Sequence, residues 1–479
     1  MNNSKQPNII VLILDALRAD HVSCYGYHRN TTPNIDRLSE QGTVFLETIA
    51  TAPWTVPSVA SIFTGLYPSE HGATQEYPRL DDHVPTLAQI LSENGYETIG
   101  FSTNPWFNKE TNLSKGFKEF KLYSEGKSRK RRLLRKISPF VNFVFKKRGL
   151  TEPGCSHDVV DEVIDSLEEI RTKKETPFFL YAHFMDPHLP YQPYKKYIKA
   201  ILQGSNRKRL KQIMNYPLLK DGIVHVRYNL GLESLKDEAL DIFRMAYDAA
   251  IRELDDAIGN LTEYLRKSGI LDDSVLIIAS DHGENIGDHG LMDHQLCLYD
   301  TLLKVPLIIV GNGFPKNHKH KKQVQLHQLF YTILEATGIN NQAKQSNTDI
   351  TLQNMIKNNT GLKDAFSEYA RPDQIKSGYL RFSSELDLRF STRLRCVRTS
   401  EFKYIHSENG NDEFYDIEAD AGEAKNIVHS MSLEKLAVCK KLLAEWQSNL
   451  RVYSRDESAK ESIGQDEKIL SQLRNLGYM

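Results

Sequence analysis

The sequence predicts an α/β protein, a large, doubly wound, mostly parallel sheet flanked by helices, with a smaller C-terminal α+β subdomain. Three observations carry this. Short apolar runs rich in branched residues, at 9–14 (IIVLIL), Ser274–Ala279 (SVLIIA) and 304–311 (KVPLIIVG), have the length and composition of strands buried on both faces. Helix-patterned segments alternate with them, as crossovers between parallel strands require. Toward the C-terminus, LRCVRTSEFKYIHSENGNDEFYDIEAD reads as two strands joined by a Gly/Asn turn, with a helix over 433–450. A catalytic α/β domain is therefore expected over 1–365 and an antiparallel hairpin with a helix over 366–479.

A chain of 479 residues is long for one core, in keeping with this division. Lysine plus arginine (61) nearly equals aspartate plus glutamate (62), which argues against a nucleic-acid partner. Five scattered cysteines without CxxC spacing argue against a disulfide framework and a structural zinc site. No apolar run approaches the ~20 residues that span a bilayer, so the expected location is cytoplasmic.

In chain order, the first strand ends in Asp15, and in open α/β sheets ligands sit beyond the carboxyl ends of strands. TPNIDRLSEQG reads as a helix bounded by Pro33 and Gly42. The stretch 53–72, PWTVPSVASIFTGLYPSEHG, predicts a helix starting at Ser58 and ending at Gly65. Thr55 then stands just ahead of a helix N-terminus, where free N–H groups favour an anion, a suitable place for a nucleophile; the bland reading of Thr55 or Ser58 is a helix cap. A β/α unit follows, and Asn104 comes after its strand.

Residues 127–149 hold ten basic side chains around an apolar centre, which suits peripheral contact with an anionic membrane surface or a solvated helix. PFFLYAHFMDPHLPY is a strand leading into His183, Asp186 and His188. Residues 195–240 read as a polar insert running over the surface. A long amphipathic helix follows, with its aspartates on the solvated side. After the strand Ser274–Ala279 comes SDHGENIGDHGLMDHQLCLYD, where Asp281 and His282 stand as Asp15 does at the first strand. Such an Asp/His pair plus a distant strand-end Asp makes a mixed oxygen and nitrogen site for a divalent ion. His289 and His294 follow in the same loop.

These blocks, PNIIVLILDALRADHVSCYGY, WTVPSVASIFTGLYPSEHG, HFMDPHLPY, SDHGENIGDHGL and LYDTLLKVPLIIVG, resemble the sulfatase branch of the alkaline phosphatase superfamily. The resemblance covers nearly the whole chain outside 127–149 and 195–240. It implies that Asp15, Asp281, His282 and Thr55 hold one divalent ion (manganese preferred, zinc or calcium as alternatives) and that Thr55 is the nucleophile. It also implies that His188 protonates the leaving group and that His294 neutralises the transferring group; His183, Ser58 and Asn104 are the substrate-binding candidates.

The departures bear on the chemistry. Sulfatases proper oxidise a cysteine or serine to formylglycine within C/S-x-P-x-R, whereas this chain has Thr55 and, in place of the arginine, Val59. Ala16 stands where calcium-dependent sulfatases carry a second aspartate. The set is similar to the phosphoglycerol transferases and the phosphodiester or phosphonate hydrolases. The expected activity is hydrolysis or transfer of an anionic ester, phosphate favoured, on a small-molecule, lipid or glycan substrate. The alternatives are a sulfuric ester hydrolase working without formylglycine, a metal-dependent phosphomutase, and an idle anion-binding protein. Only weak second-metal ligands are visible, such as Asp221 and His225.

Overall fold

A computed structural model describes residues 6–123, 155–173, 176–203, 206–339, 350–371, 379–383 and 391–451. The basic stretch 127–149 lies outside these residues. In chain order the strands are β1 (Asn8–Leu14), β2 (Thr43–Ile49), β3 (Glu97–Ser102), β4 (Glu119–Leu122), β5 (Phe178–Phe184), β6 (Ser274–Ala279), β7 (Asn285–Ile286), β8 (Met292–Asp293), β9 (Lys304–Val310), β10 (His318–Gln325), β11 (Ala365–Tyr369), β12 (Leu394–Arg398), β13 (Phe402–Ser407) and β14 (Glu413–Asp416). Eight form one sheet in the order β10-β2-β9-β6-β1-β5-β3-β4. Only β9 runs against its neighbours. The missing N–H of Pro306 falls opposite the register irregularity between Phe45 and Thr48, so the ladder loses little there.

Alternation explains the two cores. Ile9, Val11 and Ile13 of β1 point into one cluster with Val56, Ile62 and Leu329. Ile10, Leu12 and Leu14 point into the other with Ile35, Val163 and Leu254. Helices therefore cover both faces, as a doubly wound sheet requires. Loops at the carboxyl ends of β6, β1, β5 and β3, four adjacent parallel strands, share one crevice.

Several local expectations change. The helix after Trp54 spans Thr55–Thr64 and begins three residues before the predicted start, so Thr55 is its first residue. Pro57 is tolerated because first-turn N–H groups have no intrahelical partner. Gly65 closes the helix at φ 72°, and a Cβ there would meet the Phe330 and Tyr331 rings at 2.8 and 2.9 Å. Within 195–240 the structure has helices Lys195–Ile201, Arg207–Met214 and Val224–Asn229, and Tyr197, Val224, His225 and Asn229 are buried in the body of the protein.

The helix Asp237–Lys267 also buries two of its aspartates, contrary to the solvated-side reading. Asp248 accepts from Tyr27 and Arg29 and meets His21 Nδ1 at 2.7 Å. Asp255 accepts from the backbone N–H groups of Asn34 and Ile35, which open the helix Pro33–Ser39. The C-terminal sheet has four antiparallel strands, β11-β12-β13-β14. What read as one long strand breaks at 399–401 into β12 and β13, and β11 adds the fourth.

Candidate active site and metal centre

Asp15 and Asp281 leave the ends of β1 and β6, which pair in parallel, so their carboxylates arrive side by side. Asp281 is held by the N–H of His282 (3.0 Å) and that of Ala16 (3.4 Å), both to Oδ1. Ala16 sits at φ 58°, which folds the chain back immediately after Asp15. His183, from β5, meets Asp15 Oδ2 through Nε2 at 2.9 Å, and Tyr181 OH lies 3.0 Å from its Nδ1. Asn104 donates to the same Asp15 oxygen (2.6 Å) and to Thr55 Oγ1 (3.3 Å). Ser58 donates its hydroxyl to the Asp281 carbonyl at 2.7 Å.

In this crevice the carboxylate oxygens Asp15 Oδ1 and Asp281 Oδ2 have no hydrogen-bond partner, although both residues are fully buried. Buried polar atoms are rarely left so, and an anion in that condition needs a cation. His282 supplies the missing donor type. Its Nδ1 donates to the Gly283 carbonyl at 2.9 Å, which leaves Nε2 as the lone-pair nitrogen. That Nε2 lies 3.4 Å from Asp15 Oδ1, 3.6 Å from Asp281 Oδ2 and 3.3 Å from Thr55 Oγ1. Burial holds the imidazole below its ordinary pKa, so it is neutral, as a ligand must be. Burial alone would raise the Asp15 carboxyl, but the bond and charge of His183, with His282 and His188, keep it well below the usual range. Asp15, Asp281 and His282 together are a buried group able to hold a metal ion, and Thr55 Oγ1 is beside it.

A second set of side chains stands across the His282 ring. The His294 ring stacks on His282 with centroids 4.3 Å apart, and His188 meets His294 edge-on at 4.8 Å. His294 Nδ1 contacts Asp293 Oδ1 at 2.6 Å and Glu284 Oε1 at 3.4 Å. Burial opposes its charge, but those two carboxylates win and raise it well above the ordinary histidine value. His225 Nε2 lies 3.7 Å from Asp293 Oδ2, and burial lowers its pKa.

Thr55, Asn104, Asp15, His183, Asp281, His282, His188 and His294 thus meet in one crevice. Glu284 and Asp293 were not singled out as site residues, and His225 was named only as a weak second-metal candidate. For Glu284 and Asp293, the signal was an acidic residue within the loop or directly before His294. Asp221 lies elsewhere, paired with Arg227 at 2.7 Å.

The sulfatase family model matches residues 7–339. The chain belongs to the sulfatase family. As a member it is a hydrolase of the alkaline phosphatase superfamily, whose enzymes use a metal ion. A sulfatase of Formosa agariphila is 26% identical over 483 residues, covering 92% of this chain and 88% of the relative. The N-acetylglucosamine-6-O-sulfatase of Bacteroides thetaiotaomicron is 24% identical over 528 residues, covering 95% and 88%. Among solved structures, the phosphonate monoester hydrolase of Agrobacterium radiobacter superposes with a TM-score of 0.69 at 20% identity, covering 92% of this chain and 95% of that one.

Proposed function

We propose that this sulfatase-family hydrolase cleaves a monoanionic ester, a phosphate diester in preference to a sulfate ester, through Thr55 as a covalent nucleophile. The observation that carries this is the convergence of Thr55 Oγ1 with His282 Nε2 and two orphaned carboxylate oxygens. Asp15, Asp281, His282 and Thr55 would hold one divalent ion, manganese suiting the mixed donors. When bound, it supplies the Lewis acidity that lowers the pKa of a coordinated hydroxyl.

The chain's own groups do the rest. Asn104 fixes Thr55 Oγ1 through its amide, while His183 and Tyr181 fix Asp15. Thr55 Oγ1 loses its proton to solvent and bonds to phosphorus, and the ester oxygen departs. His188, in its imidazolium form with Nδ1 donating to the Leu189 carbonyl, gives the leaving oxygen its proton from Nε2. His294, kept cationic by Asp293 and Glu284, faces the charge that builds on the transferring group. Water or an acceptor hydroxyl then releases the group, which makes hydrolysis or transfer a matter of the acceptor.

One feature supports phosphorus. Threonine has a branched Cβ and cannot become an aldehyde hydrate, the form that expels sulfate. Direct sulfate-ester hydrolysis by threonine is the second reading, favoured by the names of the relatives above. Turnover of an aryl phosphodiester and an aryl sulfate on the same manganese-loaded sample decides between them. The phosphodiester is expected to react faster; a preference for the sulfate contradicts the proposal.

A further inference from the structure

The histidines on the far side of His282 form a metal-binding arrangement of their own. Ligand atoms of His188, Asp293 and His294 lie within 4.8 Å of one another, and all three residues are buried. Asp293 holds φ 73°, a conformation that L side chains rarely adopt outside turns or functional sites. The Met292 N–H and carbonyl exchange hydrogen bonds with the Asn229 side chain (2.9 and 3.0 Å), which braces the strained residue from the Val224–Asn229 helix. That helix also brings His225 Nε2 to 3.7 Å from Asp293 Oδ2, the place of a neighbour that orients a ligating carboxylate. Nδ1 of His188 is committed to the Leu189 carbonyl at 2.5 Å, which assigns Nε2 to any ligand.

We infer that His188, Asp293 and His294 form a second divalent-cation site adjoining the first. Two imidazoles and a carboxylate suit zinc or manganese rather than calcium or magnesium, which take oxygen donors. The proton that His294 now shares with Asp293 leaves to solvent when a nitrogen–metal bond forms in its place. The stack of His294 on His282 gives the two centres a common wall. The inference rests on the reading of the first centre and deepens it. A cation at His188 takes over the leaving-oxygen role of that residue's proton and makes the site a two-ion clamp.

Elemental analysis of the full-length protein, saturated with zinc and then dialysed, tests it. Two zinc equivalents per chain are expected for the wild type. Asp293→Ala and His188→Gln, each checked for native circular dichroism, are each expected to bind one. A single equivalent in the wild type overturns the inference, as does retention of two in the folded variants. The metal count is independent of turnover: loss of the phosphodiester reading would appear as the wrong ester preference with the ion stoichiometry intact.

Discussion

Asn104 shows how closely the reacting oxygen is held, because one amide nitrogen reaches both Asp15 Oδ2 and Thr55 Oγ1. Hydrogen bonds to charged groups contribute about 1.5–3 kcal/mol, so Asn104→Ala is expected to lower kcat/KM by about 10- to 100-fold. Metal content should stay at the wild-type level; unchanged steady-state kinetics would show that the amide does not position Thr55. Asp15, Asp281 and His282 were legible in the sequence because each follows an apolar strand run. Thr55 was legible because it precedes an apolar helix in a proline-flanked segment. Asp293 and Glu284 were not, since their pairing with His294 depends on how a glycine-rich loop folds back on itself. His225 was legible only as a weak second-metal candidate beside Asp221, because nothing local says that its short helix turns inward.

At the scale of elements, the loop after β6 depends on close approach. A Cβ on Gly283 would lie 2.0 Å from the Thr301 carbonyl oxygen, a backbone atom that cannot turn aside, and the Gly283 carbonyl is what fixes the His282 tautomer. Gly283→Ala is therefore expected to destabilise the protein by about 1–3 kcal/mol and to weaken metal binding. Denaturant unfolding and a metal titration check both, and wild-type values in each would remove Gly283 from the account. Five strands of the main sheet, β1, β3, β5, β6 and β9, were readable from composition, whereas β2, β4 and β10 were not, β10 (HKHKKQVQ) because its exposed positions carry charge in place of an apolar run. Amphipathic periodicity marked the apolar face of Asp237–Lys267, but it cannot distinguish a solvated aspartate from Asp248, which is buried against Tyr27 and Arg29. The extra strand and the break at 399–401 escaped reading because a short polar turn inside a strand-like run has little periodic signature.

Across the whole molecule, the C-terminal sheet clasps the active loop. Asp300, just beyond that loop, binds Arg398 of β12 (2.8 Å) and Lys403 of β13 (2.7 Å), and its N–H donates to Glu423 at 2.5 Å. Among the described residues no helix is long and apolar enough to cross a membrane. Two buried histidines contribute a loss of stability in acid. Burial pushes His71 down to about 3 and His327 to about 4 from an ordinary 6.5, so both are neutral in the fold. Between those values the unfolded chain binds more protons than the native one, and stability falls as pH falls, by up to about 1.4 kcal/mol per unit for each group. Urea unfolding of wild type and His71→Gln from pH 7 to 4 should show a smaller loss of stability in the variant; an identical pH dependence in the two would contradict the assignment. The central claim concerns Thr55. Phosphodiester turnover by Thr55→Ala, measured beside its metal content and circular dichroism, tests it most directly. The account predicts a folded, metal-loaded protein without turnover, and near-wild-type activity in that variant would contradict it.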